Sequence, residues 1–244
     1  MSANNFWGEN TTGTWTLSVT DKLTANPGKL NGWTLTALGN ASTTPVSYIY
    51  TDEFATATGA ARSVLSDLSG SATINTAAVT TNSYLDLRPG AIDTIAGRSL
   101  SIGAGTIIRN LWAGDGNDMI FCNDVGDTVQ GGRSNDTIVA GRGADALSGG
   151  PGSDIFRIVA LGTGIDLLPD FAIGNDALDL SQMFDTLGYT GSNPIVDKWL
   201  NLTPDGSGGT SFVVTPHNGS ASVVIADAFH IAPTAFRMGI DILT

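Results

Sequence analysis

Five aspartates keep a nine-residue register in this chain: Asp118, Asp127, Asp136, Asp145 and Asp154. Two positions after each stands an apolar residue: Ile120, Val129, Ile138, Leu147 and Phe156. Glycines crowd the turn before each aspartate. Such a unit divides into a six-residue turn and a three-residue strand, and two units, eighteen residues, complete one coil of a parallel roll. Position six of one turn then lies over position six two repeats on, one strand spacing, about 4.8 Å, away. Asp118, Asp136 and Asp154 are expected to stack along one edge, and Asp127 and Asp145 along the other. The apolar residue at position eight faces inward and fills the core.

Such an edge needs a cation. Carboxylates about 5 Å apart repel by roughly 3 kcal/mol per pair at an effective dielectric near 20. Calcium takes about six to eight oxygens, and carboxylates plus turn carbonyls supply them. The pattern G-G-x-G-x-D-x-U-x, with U apolar, is a calcium-binding β-helix signature. The candidate metal-site residues are therefore Asp118, Asp127, Asp136, Asp145 and Asp154, with Gly114, Gly116, Gly131, Gly132, Gly149, Gly150 and Gly152. The glycines are expected to adopt positive φ and point carbonyls inward. Folding and metal binding are then one event. The turn Cys122-Asn123-Asp124-Val125-Gly126-Asp127 is degenerate, because Val125 stands where Gly is wanted, and Ser134 also departs. The Asp118/Asp136 and Asp136/Asp154 pairs are thus stronger candidates than Asp127/Asp145. Ordinary Asp-Gly turns between strands are the plain alternative, which suits one such turn and not five in register.

Composition agrees with a β protein. The 244 residues suffice for one or two domains. With 31 Gly and only 14% charged residues, the chain suits turns and strands better than helices. The net charge of -12 makes nucleic acid and anionic lipid poor partners and cations reasonable ones. The lone Cys122 forbids an internal disulfide and reads as a packed, inert thiol. No apolar run reaches the ~18 residues of a membrane helix, and no N-terminal secretion signal is legible.

Along the chain, Trp15, Leu17 and Val19 and then Trp33, Leu35 and Ala37 alternate with polar residues, as strands with one buried face do. Residues 40–47 read as a linker. Residues 54–82 are rich in Ala, Ser and Thr, without a clear period. Strand signals return at Tyr84–Leu87, Leu100–Ile102 and Ile107–Ile108, ahead of the repeats. Asp166 and Asp170 follow the repeats and suit a cap or a further calcium ligand. Later strand candidates are Phe212–Val214 and Val223–Ile225, with a turn at Asp205–Gly209.

Two resemblances sharpen this reading. Phe6-Trp7-Gly8-Glu9-Asn10, Gly13-Thr14-Trp15-Thr16-Leu17 and Gly28-Lys29-Leu30-Asn31-Gly32-Trp33 resemble the last third of a P domain, the β-sandwich behind the catalytic domain of kexin-like and some subtilisin-like serine proteases. That resemblance implies that this chain is the C-terminal part of a longer polypeptide, with a protease domain upstream in cis. Residues Tyr84 to Ser181, including Asp166–Phe171 and Asp176–Ser181, resemble the RTX (hemolysin-type) repeats and the C-terminal module of serralysin-type peptidases. This likeness implies Ca2+ as the cofactor, export through a type I ABC transporter and an extracellular, bacterial location. It also implies an uncleaved C-terminal export signal, to which Asp241-Ile242-Leu243 fits, with Thr244 as a departure.

The expected fold is therefore all-β: a right-handed parallel β-roll preceded by the last strands of a β-sandwich. The expected divisions are a P-domain fragment over 1–39, a linker over 40–47, the roll over 48–185 with its repeats at 113–157, and a C-terminal β segment over 186–244 carrying the export signal. No catalytic site is legible. The two histidines, His217 and His230, lack the H-E-x-x-H pattern of a zinc peptidase, and Gly209-Thr210-Ser211 continues as Phe212, unlike a subtilisin nucleophile motif. The expected function is a calcium-folded export module of a secreted serine peptidase. A stand-alone extracellular, calcium-dependent adhesin-like module is the alternative.

Overall fold

The computed structural model describes residues 46–57, 63–216, 222–228 and 231–244. The chain divides into two units, Met1–Ala41 and Ser42–Thr244, and the described residues belong to the second. The strands expected around Trp15 and Trp33, most of the linker, His217 and His230 lie outside the described residues.

In chain order the strands are β1 (Ser47–Thr51), β2 (Val64–Leu65), β3 (Ala72–Ala78), β4 (Tyr84–Asp86), β5 (Ile92–Ile95), β6 (Arg98–Ile102), β7 (Ile108–Trp112), β8 (Met119–Phe121) and β9 (Thr128–Gln130). There follow β10 (Thr137–Val139), β11 (Ala146–Ser148), β12 (Ile155–Arg157), β13 (Asp166–Leu168), β14 (Ala177–Asp179), β15 (Leu200–Pro204), β16 (Thr210–Val214), β17 (Ser222–Ala228) and β18 (Ile242–Leu243). A short helix, α1 (Ser181–Leu187), buries Met183 and Phe184 and stops at Gly188, whose φ of 78° ends it.

Among the described residues, the strands form two nine-stranded sheets. One runs β1-β3-β7-β9-β11-β13-β17-β16-β15 and the other β18-β14-β12-β10-β8-β4-β5-β6-β2. From β7 to β14 the chain alternates between the sheets, and from β9 to β14 each strand pairs in parallel with the strand two earlier. The described residues of this unit therefore fold as a parallel β-roll.

The repeat explains the strands' brevity. Period-two geometry turns only the middle side chain of three toward the facing sheet. Those middle residues, Ile120, Val129, Ile138, Leu147 and Phe156, are at most 1% exposed. Ile120, Ile138 and Phe156 lie side by side, and the row continues through Leu85 at one end and Leu178 and Ile242 at the other. Full burial of each such side chain stabilises by about 1.5–3 kcal/mol.

Antiparallel strands close the ends: β4-β5-β6 on one sheet and β15-β16-β17 on the other. The final strand, β18, pairs in parallel with β14. The segment 186–244 thus contributes strands to both sheets of the roll rather than forming a separate body.

Candidate metal centre

The turns between these strands bring the repeat aspartates onto two edges as carboxylate ladders. On one edge, the Asp118 N–H donates to Asp136 Oδ1 and the Asp136 N–H to Asp154 Oδ1, each at 2.8 Å. On the other, the Asp127 N–H donates to Asp145 Oδ1 at 2.8 Å. All five aspartates are at most 3% exposed. One oxygen of Asp136, Asp145 and Asp154 is thus spent along its edge.

The other oxygen depends on the first residue of the turn. Where that residue is Ala113, Cys122 or Ala140, the next N–H, from Gly114, Asn123 or Gly141, donates to Oδ2 of Asp118, Asp127 or Asp145 at 3.3, 2.7 and 2.8 Å. Where it is Gly131 or Gly149, Oδ2 of Asp136 or Asp154 sits where a Cβ would stand, and it is buried without a hydrogen-bond partner. The following glycines, Gly132 and Gly150, have φ of 109° and 93°, and their N–H groups point to Gly149 O and Asp170 Oδ2. A buried acceptor left unmade costs about 1–3 kcal/mol, more when charged. Two such oxygens in stacked turns fit a bound cation, and the hard carboxylate set fits calcium.

Positive φ therefore belongs to Gly132 and Gly150 alone among the candidate glycines. This corrects the expectation for Gly114, Gly116, Gly131, Gly149 and Gly152, which are needed for space. A Cβ there would strike the backbone of a neighbouring coil or the carboxylate of the same turn. Ser134 takes φ of 79° and ties down its strain by donating its hydroxyl to Asp115 O at 2.7 Å.

Burial raises the carboxyl pKa values. Loss of hydration pushes Asp127 and Asp136 up to about 7, and Asp118 and Asp154 up to about 6. Asp145 moves up for the same reason. Bare charge on these edges is thus disfavoured relative to a solvated carboxylate.

Both ladders run past the nine-residue register. The Asp154 N–H donates to Asp176 Oδ1 at 3.1 Å, and the Asp145 N–H to Asp166 Oδ1 at 3.0 Å. Asp170 accepts from the Gly149 and Gly150 N–H groups at 3.2 and 2.9 Å. Asp176 escaped the sequence reading as a site residue. The signal was an aspartate followed two positions later by a buried leucine, as in Asp166–Leu168 and Asp176–Leu178. Cys122 belongs to the second edge: its Sγ and one carboxylate oxygen each of Asp127 and Asp145 lie within 4.8 Å of one another. Burial first, then the charges of Asp145, Asp127 and Asp166, push its thiol pKa up.

Two family models match the chain. The family model described as Peptidase M10 serralysin C terminal matches residues 39–199. The model described as Proprotein convertase P-domain matches residues 1–37. No curated protein matches the chain.

Proposed function

Because the chain belongs to the serralysin C-terminal peptidase family, whose repeats are calcium-binding and whose members are secreted, we propose that its roll is the calcium-folded export module of a subtilisin-type serine peptidase. The P-domain match at residues 1–37 supports the serine peptidase upstream in cis. The observation that carries the calcium reading is the pair of unpartnered, buried oxygens, Asp136 Oδ2 and Asp154 Oδ2. Asp118, Asp136 and Asp154 would hold the ion together with turn carbonyls. Bound calcium would supply the positive charge that lets these buried carboxylates ionise.

The chain's own groups do the rest. Position-one glycines leave room for Oδ2, backbone N–H groups orient Oδ1, and the apolar row between the sheets excludes water. Extracellular modules bind calcium at about 10⁻⁴ to 10⁻³ M, far above cytosolic levels. The chain would stay unfolded inside the cell, pass through a type I ABC exporter and fold outside. The export signal assigned to Asp241–Leu243 suits that order, since Asp241 and Ile242 are fully buried once β18 pairs with β14.

The test is a calcium titration of the full chain by circular dichroism and thermal melting. Calcium should raise β content and melting temperature, chelator should reverse both, and the double variant Asp136→Asn, Asp154→Asn should lose most of the response. A melt unchanged in excess chelator rules the reading out. The intact mass of the polypeptide captured from culture medium tests the upstream peptidase: a mass near 25.1 kDa would remove it.

A further inference from the structure

We propose that the turn Cys122–Asp127 and the stacked Asp145 form a second, chemically different site, built for a thiophilic divalent cation of the zinc class rather than for calcium. The repeat itself aims the sulfur. At Gly131 and Gly149 a Cβ would point straight onto Oδ2 of the aspartate five residues on. Cys122 stands at that same position of its own turn, so its side chain is directed at the Asp127 carboxylate. The resulting donors, Cys122 Sγ and an oxygen each from Asp127 and Asp145, lie within 4.8 Å of one another and all three residues are buried. Tetrahedral bonds of about 2.3 Å to sulfur and about 2.0 Å to oxygen need donor separations near ~3.5 Å, so a small side-chain adjustment closes the set.

An independent observation points to a ligand beside Asp127. Asp127 is 2% exposed, its Oδ2 accepts the Asn123 N–H, and its Oδ1 is buried with no hydrogen-bond partner. The nearby Arg109 lends Asp127 some positive charge but does not fill that place, because its guanidinium donates to the Val125 and Gly126 carbonyls. Calcium prefers an all-oxygen shell, whereas zinc and cadmium accept thiolate with carboxylate. Binding breaks the Cys122 S–H bond, forms a sulfur–metal bond and releases the proton to solvent. A cleft lined by Cys122, Asp124, Gly141 and Arg142 offers an entry path.

The test titrates the full chain with cadmium in millimolar calcium and follows the ultraviolet thiolate-to-cadmium charge-transfer band. Zinc content is measured by mass spectrometry after desalting. One equivalent of either metal per chain is expected, with the band absent in Cys122→Ala and affinity at least tenfold weaker in Asp127→Asn. The calcium-dependent melt of Cys122→Ala should persist, which separates this site from the calcium reading. If the chain shows no calcium-dependent melt but keeps a Cys122-dependent band, the calcium reading falls and this one stands. No band in a chain that melts as a folded protein, or a band that millimolar calcium abolishes, overturns the proposal.

Discussion

A methyl group on Gly149 would collide with Oδ2 of Asp154, whereas Ala113 and Ala140 already carry that methyl in other turns. The backbone therefore tolerates Cβ at position one, and the cost falls on the carboxylate. In the alanine turns, Oδ2 has moved to the N–H of position two. In Gly149→Ala that refuge is closed, since the Gly150 N–H is held by Asp170 Oδ2. The variant should fold in saturating calcium with its calcium midpoint raised about tenfold, roughly 1.4 kcal/mol. A calcium titration followed by circular dichroism measures that shift, and an unmoved midpoint would mean that Asp154 Oδ2 is no ligand. At this scale the sequence was informative about which aspartates share an edge, because a strict period of nine leaves no other register. It was silent on which turns keep a free oxygen, because that depends on one atom, Cβ at position one, meeting a carboxylate that only the fold brings near.

Each three-residue strand of the repeat array contributes one fully buried residue, so the row of middle side chains carries much of the element's stability. Ile138→Ala, between Ile120 and Phe156, should cost about 2–5 kcal/mol, read as a loss of melting temperature in saturating calcium. The turns respond to pH in the opposite sense to ordinary ion-paired carboxylates. Asp127 and Asp136, and Asp166 below them, titrate near 7 when folded, above their usual value, because burial penalises the charge. The folded calcium-free roll thus binds more protons than the unfolded chain, and its stability falls as pH rises. That contribution is complete below the ordinary carboxylate range, near pH 4, and is lost as pH climbs through about 6 to 7. In calcium-free buffer the chain should melt higher at pH 5 than at pH 8, and saturating calcium should shrink or reverse the difference. Strands with the aspartate-x-apolar pattern were legible beforehand. β3 and α1 were not: Ala72–Ala78 offers mostly small residues, and a seven-residue helix burying only Met183 and Phe184 is too short to display a period. Asp176 was hidden because the spacing stretches from 18 residues to 22 after Asp154 while the ladder continues.

The whole roll closes on its own last residues, and there the chain supplies its own cation. Asp241 is fully buried, accepts the Gly174 N–H at 2.6 Å, and is bound by the Arg237 N–H and guanidinium at 2.9 and 2.8 Å. The Arg237 contact holds its carboxyl below the usual value, unlike the repeat aspartates. The terminal coil is therefore charged and paired without metal, while on the proposed reading the repeat coils before it need one. This arrangement separates two roles that the same five residues, Ile240 to Thr244, would play. As strand β18 they cover the edge of β14, and as an export signal they must be read before that strand forms. Arg237→Gln removes the tethered cation and leaves those five residues intact. It should lower the melting temperature in saturating calcium by a few degrees while export stays normal. Deletion of Ile240–Thr244 should lower the melting temperature too, because Leu178 loses Ile242 beside it, and should also abolish export. Secretion assays of both variants through a type I exporter, paired with their melts, decide the matter. Equal export of the two would mean that these residues serve the fold alone, and that the export address lies elsewhere in the chain.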